Sequence, residues 1–174
     1  MTTTTGVQTG SDPQGLTPTA PTRADVVRLA RGWIGTPYHH QASTPGAGAD
    51  CLGLVRGVWR QLYGSDAEAP PAYSRDWAEA SGRETLLEAA RRHLVEVPPA
   101  RARPGDVLVF RLRPATVAKH VAILASEGTM VHAMEGGAAT EVALSPWWRR
   151  RIAGTFRFPG LTPAEGADPA SLTP

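Results

Sequence analysis

Apolar residues recur with a helical period in the first part of the chain and with a strand period in the second part. Residues three and four positions apart lie on one face of a helix, so such a stripe predicts an amphipathic helix. Thr22 followed by Asp25 is typical of a helix start, and Gly35 with Pro37 is typical of a stop. The predicted helices cover the stripe from Val26 to Ile34, then residues 51–63, 74–80 and 83–94.

Short runs rich in β-branched and apolar residues follow one another after residue 95, separated by turn residues such as Pro104-Gly105. Five such runs predict five strands, at residues 107–111, 120–124, 129–133, 141–144 and 152–158. Because short turns join them, we expect one antiparallel sheet. Helices first and strands second predict an α+β domain, with the N-terminal helices packed on a five-stranded antiparallel sheet.

Length and composition predict one globular domain between two tails. The chain has 174 residues, which is long enough to form a single core. Residues 1–21 and 160–174 are rich in Thr, Gly, Ser and Pro and carry few large apolar side chains. We therefore expect a disordered N-terminal tail, a folded domain over residues 22–159 and a flexible C-terminal tail.

Charge and hydropathy narrow the classes of function. A formal net charge of +2 is far from the strongly basic balance typical of nucleic-acid-binding domains. No apolar run approaches the roughly 20 residues that a membrane-spanning helix needs. The first residues lack the basic start and apolar stretch of a secretory signal, so we expect synthesis in the cytoplasm without a signal peptide.

Cys51 is the only cysteine, and it stands between a loop rich in Gly and Pro and the start of the second predicted helix. The amides and dipole of a helix N-terminus stabilise an anion, so we expect the pKa of this thiol to lie below its free value of about 8.5. A nucleophilic thiol also needs a base. His120 opens a predicted strand and His132 lies 12 residues later, so a hairpin would set the two imidazoles side by side.

Several motifs, in their order along the chain, resemble those of the NlpC-type cell-wall cysteine peptidases. They are Gly35-Thr36-Pro37-Tyr38, Asp50-Cys51-x-Gly53-Leu54-Val55, Gly105-Asp106-Val107-Leu108-Val109-Phe110, His120-Val121-Ala122-Ile123 and Val131-His132-Ala133. The resemblance extends over about residues 23–158 and implies a compact papain-like fold.

The resemblance also implies a role for particular residues. Cys51 would be the nucleophile, His120 the general base and later the acid, and His132 the residue that orients His120. Tyr38 would line the substrate cleft beside the backbone amide of Cys51, which would be the oxyanion donor. The family cleaves amide bonds in peptidoglycan stem peptides, typically between D-γ-glutamate and the diamino acid. This chemistry needs no cofactor and no metal.

Two positions near the nucleophile depart from the family pattern and leave the scissile bond open. Leu52 stands where many members have Ser, and His39-His40-Gln41-Ala42 follows Tyr38 where an aromatic residue and glycines are more usual. We expect His39 and Asp50 to contact substrate, with capping of the helix as an equal alternative for Asp50.

The chain resembles most the subgroup carried by phage tails and gene transfer agents. The segments with this resemblance are Tyr38-His39-His40, the helix from Cys51 to Tyr63 and Pro146-Trp147-Trp148-Arg149. It implies tail or baseplate proteins as partners, incorporation into a phage-like tail and action in the periplasm or cell wall.

Other interpretations stay open from the sequence. The protein could be a structural tail-tip component with dispensable hydrolysis, or an acyltransferase or amidase with the same Cys and His. Cys51 with the histidines at 39, 40, 120 and 132 could ligate zinc, although their spacing matches no common zinc pattern. Residues 147–151 either contact glycan or phosphate, or pack their tryptophans on the sheet and leave the arginines in water.

Overall fold

A computed structural model describes residues 20–70 and 82–162. The short helix predicted at residues 74–80 and nearly all of the two predicted tails lie outside these ranges. In chain order the elements are α1 (Arg23–Arg31), β1 (Ser43–Thr44), β2 (Gly48–Ala49), α2 (Cys51–Tyr63), α3 (Thr85–His93), β3 (Val95–Glu96), a 3-10 turn (Pro99–Arg101), β4 (Asp106–Phe110), β5 (His120–Leu124), β6 (Thr129–His132), β7 (Thr140–Ala143), α4 (Pro146–Arg149) and β8 (Ile152–Arg157).

The helix starts follow from the capping residues. Thr22 caps α1 and forms a capping box with Asp25, as its sequence predicts. The helix ends at Arg31 and not at Ile34, which is 47% exposed. Gly64, in the left-handed conformation, ends α2. None of the helices in the described ranges is long and apolar enough to cross a bilayer.

The main sheet has six antiparallel strands in the order β3-β8-β4-β5-β6-β7, so the prediction of five strands is wrong by one. The additional strand, β3, contains two exposed residues and pairs with the C-terminal part of β8. Strand β3 shows no alternation of apolar and polar residues, because neither of its side chains enters the core. It is a strand because its backbone pairs with β8. A separate two-stranded hairpin, β1-β2, precedes α2.

The sheet has an apolar cluster on each face. One face packs against α1, α2 and α3 through alternate strand residues such as Val109 and Val121. The other face carries Phe110, Ala122 and their neighbours, which pack against α4 and the segment around it. Successive side chains of a strand alternate between faces, so both clusters are built from the same strands.

A buried carboxylate joins the first helix to the start of the sheet. Asp106 is fully buried and accepts hydrogen bonds from the Arg23 guanidinium, at 2.8 Å, and from the Arg103 amide. Its neighbour Gly105 has φ +91° and approaches the backbone of Arg23 closely. Asp106 is therefore structural, as its position after a Pro-Gly turn predicts.

The two ends of the described fold meet. The amide of Thr162 donates to the carbonyl of Pro21 at 2.9 Å, and Thr162 forms a parallel bridge with Thr22. The segment after β8 therefore lies beside the start of α1.

The contact between α2 and the turn after α1 depends on the absence of a side chain at Gly57. A Cβ at this position would lie 1.8 Å from the ring of the fully packed Trp33. We expect Gly57→Ala to lower the free energy of unfolding by about 1–3 kcal/mol, because overpacking outweighs the better helix propensity of Ala. Urea unfolding measures this change. Gly128→Ala is the control, since no atom lies within 4 Å of the added Cβ; equal stability of the two variants would contradict the prediction.

Candidate active site

The nucleophile candidate is the first residue of α2, and the loop before it fixes its position. Asp50 caps the helix, with its Oδ1 accepting from the Gly53 amide and its Oδ2 from the Gln41 amide, both at 2.7 Å. The carboxylate is buried. A Cβ on Gly53 would lie 1.8 Å from the carbonyl oxygen of Ala42, so only glycine lets the loop lie this close to the first turn.

Of the two roles predicted for Asp50, the structure places its carboxylate in the cap. The imidazole of His40 lies near the same carboxylate, with its Nδ1 3.7 Å from Oδ2. The negative charge of this carboxylate nonetheless reaches the adjacent thiol, because it is one of the groups that raise the pKa of Cys51.

The pKa of the Cys51 thiol is raised to about 12, so the prediction of a lowered pKa is wrong. Burial is the largest cause, and the charge of Asp50 adds to it. The backbone amides of Val121, Leu52 and Cys51 itself act in the opposite direction. The position of Cys51 in the sequence indicates the helix amides, but the packing of protein atoms around the thiol and the effect of the capping carboxylate depend on the fold. The thiol is therefore neutral in the free protein, and its proton has to leave during attack.

Cys51 lies beside the first residues of β5. The amide of Val121 is within hydrogen-bonding reach of the thiol, and Val121 directly follows His120. Strand β5 therefore brings His120 to the N-terminus of α2, although His120 and Cys51 are far apart in sequence.

The two histidines of the β5-β6 hairpin are in contact, which confirms the expected juxtaposition. The Nε2 atom of His120 lies 3.0 Å from the Nδ1 atom of His132, and both side chains are buried. The register pairs Ile123 with Val131. If this register continues by one residue, His132 lies opposite Ala122. Ala122 is two residues after His120, so the two histidines lie on the same face of the sheet.

Burial keeps both imidazoles neutral. It lowers the pKa of His120 to about 3, with a smaller contribution from His132, and it also lowers the pKa of His132. Because Nε2 of His120 faces His132, the Nδ1 atom is the nitrogen left for Cys51. A base needs a lone pair on that nitrogen, so His120 carries its proton on Nε2 and donates it to Nδ1 of His132.

Tyr38 and His39 lie on the loop that borders this site. The Tyr38 amide donates to the carbonyl of Gly137 at 3.0 Å, so the loop runs beside the segment that follows His132. The Tyr38 side chain is half-buried and packs against the core. His39 is exposed, and its ring lies where a side chain on Gly48 would be. Both residues therefore border the cleft, and their contact with substrate stays a prediction.

Trp148 covers the histidine pair, a role that the sequence did not indicate. Its ring centroid lies 5.5 Å from that of His120 and 5.4 Å from that of His132. The adjacent Trp147 is 43% exposed and stacks under the guanidinium of Arg151, at 3.7 Å. The sequence predicts a helical turn that contains both tryptophans. The direction of α4 decides which of the two rings faces the sheet, and that ring is Trp148.

No group of three His, Cys, Asp or Glu side chains in residues 20–70 and 82–162 is arranged to hold a metal ion. A cavity of about 520 Å³ opens between α2 and α3, and Leu52 and Val121 line it. It lies on the face of the sheet opposite the histidine pair, because Val121 and His120 alternate along β5.

Comparison with known proteins identifies the family. The family model of the NlpC/P60 family matches residues 35–157. The chain is 32% identical over 145 residues to the gamma-DL-glutamyl hydrolase of Bacillus subtilis, an alignment over 82% of this chain and 31% of that protein. The chain thus spans about a third of the length of that relative.

Solved structures share the fold. An NlpC/P60 family protein from Bacillus cereus superposes with a TM-score of 0.58 at 20% identity, over 80% of this chain and 41% of that one. The NlpC/p60 domain of the peptidoglycan hydrolase SagA superposes with a TM-score of 0.54 at 25% identity, over 79% of this chain and 99% of that domain. The papain-like α+β fold, the order of the motifs and the extent of the family match lead to one conclusion: the chain belongs to the NlpC/P60 family of cysteine peptidases.

Proposed function

We propose that the protein is a cysteine peptidase that hydrolyses an amide bond in peptidoglycan stem peptides. The observation that supports this most strongly is the arrangement of three side chains: the Cys51 thiol beside β5, and the hydrogen-bonded pair of His120 and His132. This is the arrangement of a nucleophile, a base and a group that orients the base. Membership of the NlpC/P60 family supports the same chemistry.

The attack begins from a neutral pair. As the sulfur of Cys51 bonds to the scissile carbonyl carbon, the thiol proton passes to Nδ1 of His120. The imidazolium that forms keeps donating from Nε2 to Nδ1 of His132, so His132 needs no change of tautomer. Negative charge develops on the carbonyl oxygen, and the backbone amide of Cys51 is the donor that we assign to it.

Collapse of the tetrahedral intermediate breaks the carbon–nitrogen bond. His120 gives its proton to the leaving amine, and the acyl group remains on sulfur as a thioester. Water then attacks the thioester while His120 accepts its proton, and the bond to sulfur breaks with return of the proton to Cys51. The products are a free amine and a free carboxylate, which distinguishes hydrolysis from acyl transfer.

For the scissile bond, we propose the amide between D-γ-glutamate and the diamino acid. The relative from Bacillus subtilis is named for hydrolysis of γ-glutamyl bonds, which supports a γ-linked substrate. Leu52 packs against the core and has no hydroxyl to offer at the position where many family members have Ser. The position next to the nucleophile therefore offers no side-chain hydrogen bond to substrate, and the released fragments identify the bond.

The first test compares purified peptidoglycan treated with wild type and with Cys51→Ala. We expect fragments from wild type only, since alanine cannot form the thioester, with a loss of at least about a thousandfold in rate. Mass spectrometry of the fragments identifies the bond, and a new carboxylate on one side shows hydrolysis. A product in which the acyl group has moved to a new amine would indicate a transferase. Equal release by the two proteins would contradict the thiol mechanism.

The ionisation of the thiol has a separate test that needs no substrate. Cys51 is the only cysteine, so iodoacetamide reports on it alone. With a pKa of about 12, the alkylation rate of the folded protein should still be rising at pH 10. The same chain in urea is the control, and its rate should level off near the free pKa of about 8.5. A plateau at neutral pH in the folded protein would show a preformed thiolate instead.

We also propose that the protein acts as part of a phage-like or gene-transfer-agent tail, and opens the cell wall during delivery. The sequence resemblance to that subgroup supports this role and implies tail or baseplate partners. Action in the periplasm or cell wall, after synthesis in the cytoplasm, belongs to the same proposal.

The tail role predicts that particles carrying Cys51→Ala assemble in normal numbers but deliver their contents poorly. Electron microscopy measures assembly and a transfer assay measures delivery. Thr44→Ala, an exposed change on the β1-β2 hairpin, serves as the matched control particle. Normal delivery by the Cys51→Ala particles would favour the alternative, a structural tail-tip protein whose hydrolysis is dispensable.

A further inference from the structure

We propose that Trp148 is a positioning residue for the reaction, which holds the two histidines in their working geometry and keeps water from them. This inference rests on the proposed function only for its kinetic consequence. Its structural basis is that one indole contacts both members of the pair, whose ring centroids lie 5.2 Å apart.

The two contacts of the indole have different geometries. Its plane is tilted by 31° to the ring of His120, at a centroid distance of 5.5 Å. Its plane is perpendicular to the ring of His132, at 90°. Both geometries are favourable for aromatic pairs. Together they limit rotation of each imidazole about its χ2 angle.

The tilted contact has a consequence for proton transfer. When His120 accepts the proton of Cys51, a cation forms 5.5 Å from the centre of an indole ring. Such a cation is attracted to the ring, most strongly to tryptophan and most strongly where water is excluded. The ring attraction therefore offsets part of the cost of charging His120, while the bulk of Trp148 keeps the imidazole dry and its pKa low.

The edge contact orients the acceptor. Nδ1 of His132 has to point at Nε2 of His120 for the base to keep its tautomer, and the distance of 3.0 Å leaves little freedom. A χ2 rotation of His132 would move Nδ1 away from the hydrogen bond. The indole blocks that rotation because it lies against the ring.

The indole is itself held from several sides. The ring of Phe110 packs against it edge to face at 5.0 Å, and Trp147 does so at 4.8 Å. Arg149, the next residue, donates to the carbonyl oxygens of Leu144 and Glu127 and so ties the short helix α4 to two neighbouring segments. Trp148 is therefore a fixed wall and not a loose side chain.

The titratable groups around His120 are few, so a change in its pKa can be assigned. From β6 it meets His132, and from α2 the Cys51 thiol lies beside the amide of the next residue, Val121, with the Asp50 carboxylate adjacent to that thiol. From β4 and α4 the groups against it are Phe110 and Trp148, which do not titrate. Removing the indole leaves all the charges in place and changes only packing and access of water.

The experiment uses Trp148→Leu and Trp148→Phe in the full chain, with Arg150→Lys, an exposed change at the end of the same helix that keeps the charge, as the control. Imidazole NMR signals, followed against pH, report the protonation of His120 without any substrate. Steady-state kinetics on a soluble disaccharide-peptide separates kcat from KM. Circular dichroism at the assay temperature confirms that each variant is folded.

In wild type we expect the His120 ring to stay neutral far below the usual imidazole pKa of about 6.5. In Trp148→Leu its pKa should rise by on the order of one unit or more, because loss of the dry environment outweighs loss of the ring attraction. We expect kcat to fall roughly tenfold to a hundredfold, the usual range for impaired acid–base catalysis, with KM changed less than about twofold. Trp148→Phe should lie between wild type and Trp148→Leu, and Arg150→Lys should match wild type.

Two results would overturn the inference: an unchanged His120 pKa in folded Trp148→Leu, or a raised KM with unchanged kcat, which would make the indole a substrate contact. If Trp148→Leu does not fold, Trp148→Phe decides by the same two measurements. If wild type hydrolyses nothing, the proposed function fails, yet the NMR titration still tests whether Trp148 sets the environment of the pair.

Discussion

The buried carboxylate of Asp50 is the interaction on which the site depends. Its two oxygens hold the Gly53 amide of the first helical turn and the Gln41 amide of the preceding loop, each at 2.7 Å. Charge-assisted hydrogen bonds of this kind are about twice as strong as neutral ones. They fix the backbone around Cys51 before any substrate arrives. Burial is the main cause of the raised pKa of the thiol, and the same charge adds to it, so the group that positions the nucleophile also opposes its ionisation.

Because Asp50 both positions the thiol and opposes its ionisation, the reaction needs both histidines, one as the base and one to orient it. A thiol that keeps its proton at neutral pH needs a base that is neutral and correctly oriented at the moment of attack. Burial of His120 secures the first condition, and the hydrogen bond to His132 secures the second. Both depend on the second face of the sheet, where Phe110 and Trp148 exclude water. The nucleophile thus comes from the helices on one face and its base from the cluster on the other.

Much of this could be predicted from the sequence, because the pattern depends on local periodicity. The capping box at Thr22, the helix that begins at Cys51 and the hairpin that joins the two histidines all follow from residue spacing. Strand β3 could not be predicted, since its two exposed residues pair only through β8. The raised pKa of the thiol and the direction of the Trp148 ring also depend on tertiary packing, which spacing along the chain does not encode.

The meeting of the two ends at Thr22 and Thr162 has a topological consequence. Because the two ends of the described fold lie side by side, its backbone could be joined there and reopened in an exposed loop without crossing the core. Circularly permuted forms with the same helices, sheet and cleft are therefore feasible. For the same reason, the whole unit could be inserted into a surface loop of a host protein with both junctions side by side, which would leave that host's own fold undisturbed.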